Sequence, residues 1–254
     1  MIRVILLGFG HVGSNLFNSL NKSHNISVSQ IFTRNKIHGK DCPLEVECIT
    51  KLDALREADV YIIAIPDDAI SSFSDSLPLK NKLVVHTSGS VSIKKLATKH
   101  KRGVFYPLQS FTADHVVSFS EIPICIEGED PKDLALLREL GEAISEKVVE
   151  ISSEERQKLH LAAVFVNNFV NHIYHISESY LAENKLDFDL LKPLIKETAR
   201  KIESMTPSEA QTGPAKRNDI ETIEKHLHLL EDSPYKTLYK QLTEAIQDTY
   251  GKQL

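Results

Sequence analysis

GFGHVG, from Gly8 to Gly13, spaces three glycines as GxGxxG between an apolar run and a stretch of helical periodicity. In that context Gly8 permits a tight turn, Gly10 lets an anion approach the backbone, and Gly13 lets helix and strand pack closely. A pyrophosphate would then sit on the amides of the helix N-terminus. Phe9, His11 and Val12 complete the loop as candidate cofactor contacts. The alternative is a strand-to-helix turn that binds nothing. About 20 residues further on, NAD-selective sites hold the ribose 2′-hydroxyl with a carboxylate. Here the residues are Thr33, Arg34, Asn35 and Lys36. A guanidinium and an ammonium suit a 2′-phosphate, so NADP is the expected cofactor, with NAD possible, unless these are solvated loop charges. Open parallel sheets bind ligands at the carboxyl ends of their strands. IPDDAI and HTSGS fall there, which adds Ile65, Pro66, Ser88 and Gly89 to the cofactor set. HTSGS is not the GxSxG nucleophile elbow of a hydrolase.

A second chemically loaded stretch is HLAAVFVNNFVNHIYH, His160 to His175, an apolar run with three histidines and three asparagines. At about 100° per residue, with His160 at zero, Asn167 falls near −20°, Asn171 near +20° and His175 near +60°. Either these groups satisfy one another and neighbouring backbone, or they line a cavity. In the second case His160 is the candidate acid/base, with Asn167 and Asn171 orienting a substrate. His172 lies off the stripe, as a packing or surface residue.

The elements that must position these residues follow from the texture of the chain. In the first half, short β-rich runs (IRVILLG, ISVSQIFT, VECIT, ADVYIIAIP, KLVVHTSG, GVFYPL, IPICIEG, KVVEI) alternate with helical patterns, among them HVGSNLFNSLNK, DDAISSFSDSL, SIKKLATKH and residues 131–145. This is βαβ repetition. After Ile151 only helical periodicity continues, beginning at SSEE with a serine cap and acids in the first turn. The expected fold is α/β, a Rossmann-type mostly parallel sheet followed by an all-helical C-terminal domain. Residues 1–151 form the nucleotide-binding domain and 152–254 the helical substrate and dimerisation domain.

The 254 residues are 41% hydrophobic and 26% charged with net charge −5, so there is no basic surface to suggest nucleic acid. MIRVILLGFG is too short an apolar run for a secretory signal or membrane span, and a cytoplasmic location is expected by default. Cys42, Cys48 and Cys125 lack CxxC spacing and read as reduced packing residues. His226 and His228 point to different helix faces, so no metal site is expected.

Together GFGHVG, IPDDAI, HTSGS, FYPLQSF, HLAAVFVNNFVNHIY and TGPAKRND resemble, over essentially the whole chain, the Rossmann-like proteins with a helical C-terminal domain of unknown function. These are relatives of pyrroline-5-carboxylate reductase and of the 6-phosphogluconate and β-hydroxyacid dehydrogenases. The resemblance implies an NAD(P)-dependent oxidoreductase acting on a small molecule, with a homodimer formed through the helical domain. β-Hydroxyacid dehydrogenases carry a lysine four residues before an asparagine on this helix. Here Ala163 and Val164 stand at those positions and Lys158 comes too early. His160, two turns before Asn167, is the titrating group in reach. Gln109 and Ser110 of FYPLQSF are candidate substrate contacts, or part of a loop that packs its aromatics. In TGPAKRND, Lys216 and Arg217 either meet an anionic group of the substrate or belong to a capped inter-helix turn. Absence of the lysine keeps open a second reading, a dinucleotide-binding sensor or regulatory protein without catalysis.

Overall fold

The computed structural model describes residues 1–34, 43, 46–112 and 117–251. Packing divides the chain into two compact units, Met1–Asn168 and Phe169–Leu254.

The first unit is built on one sheet of eight strands. They are β1 (Ile2–Leu7), β2 (Ile26–Phe32), β3 (Glu47–Ile49), β4 (Val60–Ile63), β5 (Leu83–His86), β6 (Lys101–Pro107), β7 (Ile124–Gly128) and β8 (Val148–Glu150). The spatial order is β3-β2-β1-β4-β5-β6-β7-β8, and all neighbours are parallel except β6 and β7. β1 pairs with β2 on one side and β4 on the other, so the strand order reverses beside it. In open α/β sheets that reversal opens a ligand crevice at the strands' carboxyl ends.

The central strands read as continuous apolar runs because both faces of the sheet are covered. On one face α1 (His11–Leu20) packs Leu16, Phe17 and Leu20 with Val4 and Leu6 of β1. On the other, α2 (Ile70–Ser76) and the turn after it pack Ile70 and Leu77 with Ile5, Leu7, Tyr61 and Ile63. α3 (Pro131–Glu142) adds Leu137 and Leu140 to the first face.

SIKKLATKH does not form the expected helix. Its described structure is a single 3₁₀ turn at Ile93–Lys95, begun by Ser92 accepting from Lys94 N–H and ended by extended Leu96. Ile93 and Leu96 are buried three residues apart, and Ala97 N–H bonds Ser74 Oγ at 2.9 Å instead of a helical carbonyl. The cysteine reading is corrected at Cys48, which is disulfide-bonded, and holds at Cys125, a free, buried thiol, while Cys42 lies outside the described residues.

β8 ends at Glu150, and a long helix begins with α4 (Ser153–Ala163) behind a capping box of Ser152 and Glu155. It continues through a π-helical segment, Val164–Phe169, into α5 (Val170–Glu183). The packing boundary therefore falls inside this helix. The second unit continues with a 3₁₀ turn (Phe188–Leu191), α6 (Lys192–Lys201), α7 (Pro207–Ala210), α8 (Ile220–Leu229) and α9 (Lys236–Tyr250). Its described residues include no strand, and its buried residues are only Ala215, Ile223 and Thr243. No described helix is long and apolar enough to cross a membrane.

Candidate functional site

The glycine loop is locked by contacts that no larger residue could make. Gly8 sits at φ 116°, and a Cβ there would lie 2.3 Å from the Ala64 carbonyl oxygen. A Cβ on Gly13 would lie 2.3 Å from the Gly8 carbonyl oxygen, whereas one on Gly10 would meet nothing within 4 Å. Half-buried Gly8 and buried Gly13 thus join loop, helix and the end of β4, and exposed Gly10 leaves its backbone approachable. Gly8 N–H also donates to Phe32 O at 2.9 Å, tying the loop to the end of β2.

A cavity of 510 Å³ opens above this loop. Its wall joins Gly8, Phe9 and Gly10 to Thr33 and Arg34 after β2 and to Ile65 and Pro66 after β4. Ser72, Phe73 and Ser76 of α2 form a side that the sequence analysis did not single out. His11 and Val12 form the first turn of α1, with Val12 packed against the core. Asn35 and Lys36 lie outside the described residues.

Ser88 and Gly89, both buried after β5, line neither this cavity nor the one below. Ser88 Oγ accepts from Ser90 N–H at 3.1 Å and Val91 N–H at 3.0 Å, so the hydroxyl shapes its own turn. Beside it, His86 Nδ1 accepts from Ser88 N–H at 3.2 Å. Burial, with Arg156 nearby, pushes His86 down to about 3, and it is a neutral structural imidazole.

A second cavity, of 460 Å³, lies between the end of β6 and the long helix. Tyr106, Gln109 and Ser110 come from the strand and its loop, and His160, Asn167 and Asn168 from the helix. His160 is half-buried, with Nδ1 3.3 Å from Tyr106 Oη. Tyr106 is buried, and burial pushes its phenol up to about 12. Gln109 Oε1 accepts from Ser110 N–H at 2.8 Å.

The π-helical segment changes the geometry of the polar stripe. A π turn closes i→i+5 and holds one more residue than an α turn, so angles computed for a regular helix do not carry through it. Adjacent residues Asn167 and Asn168 both line the cavity, whereas Asn171 does not and is exposed in the second unit.

Helix α4 is held by residues that sequence reasoning missed. Arg156, with no exposed surface, pairs with Glu127 of β7 and donates to Val91 O. Glu127 also accepts from Ser153 N–H at 3.0 Å, and Gln157 Nε2 donates to Ser90 O at 2.9 Å. The signal available was an arginine and an isolated strand acid far apart in sequence, which local patterning cannot join.

In the second unit, Lys216 Nζ donates to Gln211 O at 2.8 Å and Ser208 O at 3.4 Å and lies 5.2 Å from the Tyr250 ring centre. Arg217 is exposed and 4.0 Å from Asp219, which caps α8 by accepting from Thr222 N–H at 3.1 Å. Hydrogen bonds to Thr222 hold the Asp219 carboxyl below its usual range.

Residues 3–89 match the family described as NADP oxidoreductase, coenzyme F420-dependent, and residues 122–246 match a domain of unknown function. A candidate NADP oxidoreductase from Bacteroides fragilis is 34% identical over 97% of this chain and 98% of its own, with a TM-score of 0.87. A Thermotoga maritima protein is 22% identical over 98% of this chain and 99% of its own, with a TM-score of 0.79. The NADP-bound pyrroline carboxylate reductase of Plasmodium falciparum shares the fold at 15% identity, over 98% of this chain and 97% of its own, with a TM-score of 0.63. No curated protein matches the chain. The chain belongs to the family of Rossmann-like proteins that join an NADP-oxidoreductase domain to a helical C-terminal domain of unknown function.

Proposed function

We propose that the protein is an NADP-dependent oxidoreductase that exchanges hydride with a small carbonyl, hydroxyl or imine compound. The observation that carries this reading is the 510 Å³ cavity, where the glycine loop, Thr33, Arg34, Ile65 and Pro66 meet. Gly8, Gly10 and Gly13 would shape the pyrophosphate site at the start of α1, flanked by Phe9, His11 and Val12. Arg34 would hold the 2′-phosphate. Ser88 and Gly89 would border the nicotinamide end. When bound, the cofactor supplies the hydride, and the protein supplies orientation, a proton and exclusion of water. His160 would serve the substrate heteroatom, with Asn167, Gln109 and Ser110 as positioning donors. Lys216 is engaged by two carbonyls, so Arg217, exposed and loosely paired, is the better candidate to meet an anionic group. The 460 Å³ cavity beside His160 supports catalysis over the sensor reading.

Arg34→Ala tests the cofactor half. A charged hydrogen-bonding partner contributes about 1.5–3 kcal/mol, so NADPH affinity is expected to fall about ten- to a hundredfold with NADH affinity nearly unchanged. Equal losses for both nucleotides contradict the 2′-phosphate role.

A homodimer through the helical domain is part of the same proposal. The second unit has only three buried residues among those described, while Leu190, Leu194 and Leu229 are 70%, 62% and 65% exposed. So much apolar surface favours a partner.

A further inference from the structure

We propose that Tyr106 fixes the tautomer of His160, its phenol donating to Nδ1 so that the neutral imidazole carries its hydrogen on Nε2, the nitrogen left to serve the 460 Å³ cavity. This rests on the reading of His160 as the group that meets the substrate heteroatom, and it names the residue that positions the proton.

The geometry begins with three separate pieces of chain. Tyr106 lies at the end of β6, His160 in α4, and Gly89 in the loop after β5. Tyr106 Oη is 3.3 Å from His160 Nδ1, and the rings meet edge to face at 72°. Two arrangements satisfy that distance. If Nδ1 held the hydrogen, it would donate to Oη, a phenol oxygen that is a poorer acceptor than an imidazole nitrogen, and the phenol, the better donor of the two, would turn its hydrogen elsewhere. If Oη donates, the phenol hydrogen and the Nδ1 lone pair satisfy each other, and the hydrogen bond at one ring nitrogen selects the state of the other. The phenol retains its hydrogen throughout the neutral range, since burial pushes it up to about 12.

The pair is built into the fold. A Cβ on Gly89 would come within 2.6 Å of His160 Nδ1 and 2.8 Å of Tyr106 Cζ, so only glycine lets the two rings meet there. One turn before His160, Arg156 holds Val91 O and Gln157 holds Ser90 O, fixing the helix to the loop that contains Gly89. A carbonyl oxygen or imine nitrogen would then meet an N–H on the neutral ring, which suits an acceptor that gains electron density as hydride arrives. As the Nε2 hydrogen passes to it, Nδ1 takes the Tyr106 hydrogen in exchange, and the phenol regains one from water.

The test is a long-range proton–nitrogen correlation spectrum of full-length protein labelled with ¹⁵N-histidine, recorded above the imidazole titration range. Loss of signals in His160→Gln assigns the ring. The expected result is a protonated Nε2 and a hydrogen-bonded, unprotonated Nδ1. In Tyr106→Phe the Nδ1 resonance moves and the Nδ1–H tautomer gains population. Gly89→Ala, which wedges the rings apart, is expected to do the same. A wild-type ring protonated on Nδ1 overturns the proposal without any variant, and so does a Tyr106→Phe spectrum identical to wild type at His160. NADPH is titrated into the same sample: absence of binding counts against the cofactor reading and leaves the tautomer result standing on its own.

Discussion

Gly13 has almost no freedom to change, because its α-carbon lies against the Gly8 carbonyl and any side chain would collide with backbone. Gly13→Ala is expected to destabilise the first unit by about 1–3 kcal/mol, the range for overpacking a filled site, and to weaken nucleotide binding, with urea unfolding and calorimetry as the readouts. His86 gives a pH dependence of definite sign. Its folded pKa, about 3, lies below the unfolded value near 6.5, so as pH falls through this window the unfolded chain takes up a proton that the folded chain refuses. Stability is therefore lost on acidification, by roughly 2 kcal/mol between pH 7 and pH 5 from this residue, and His100, lowered by burial, acts in the same direction. Urea titrations of wild type and His86→Asn at both pH values measure it, and an equal acid loss in the variant would exclude His86 as the source. The glycine roles were legible in sequence because each depends on neighbours a few residues away. Tyr106 was not, since its importance comes from a partner 54 positions later.

Elements were legible wherever a continuous period ran long enough to declare itself. The buried β runs and the amphipathic α1 are examples. SIKKLATKH misled because its apolar spacing suits one 3₁₀ turn as well as a helix, and side-chain bonds from Ser74 and Ser92 decided the matter. The π-helical segment was invisible for a related reason. VFVNNF carries no proline or glycine to mark it, yet from Val164 on the angles of a regular helix no longer apply, and adjacent Asn167 and Asn168 both line the cavity. What holds α4 in place is the buried Arg156–Glu127 pair. Arg156→Met would leave Glu127 without its cation, and removing one member of a buried pair costs about 3 kcal/mol or more. The first unit is expected to lose that stability in denaturant titration, and the His160 ring resonances are expected to shift because the helix anchor one turn away is gone. Unchanged resonances would show that α4 is held by other contacts.

At the scale of the whole molecule, the chain combines a sheet unit with a dense core and a helical unit with very little of one. The helical unit is expected to gain its missing burial from a second copy. Sedimentation should give twice the 28.6 kDa chain mass, the melting temperature should rise with protein concentration, and Leu194→Glu should shift the population towards single chains. A single chain at all concentrations would contradict the dimer. The division into sheet and helical parts was readable from the change in periodicity near Ile151, but the packing boundary at Asn168 depends on long-range contacts of α4. The central claim is that the Rossmann unit holds NADP through its glycine loop and Arg34. Calorimetric titration of the purified protein with NADPH and NADH tests it most directly. Saturable binding of both, with NADPH at least about tenfold tighter, is the expected result. Binding of neither nucleotide, or equal affinity for the two, would contradict it.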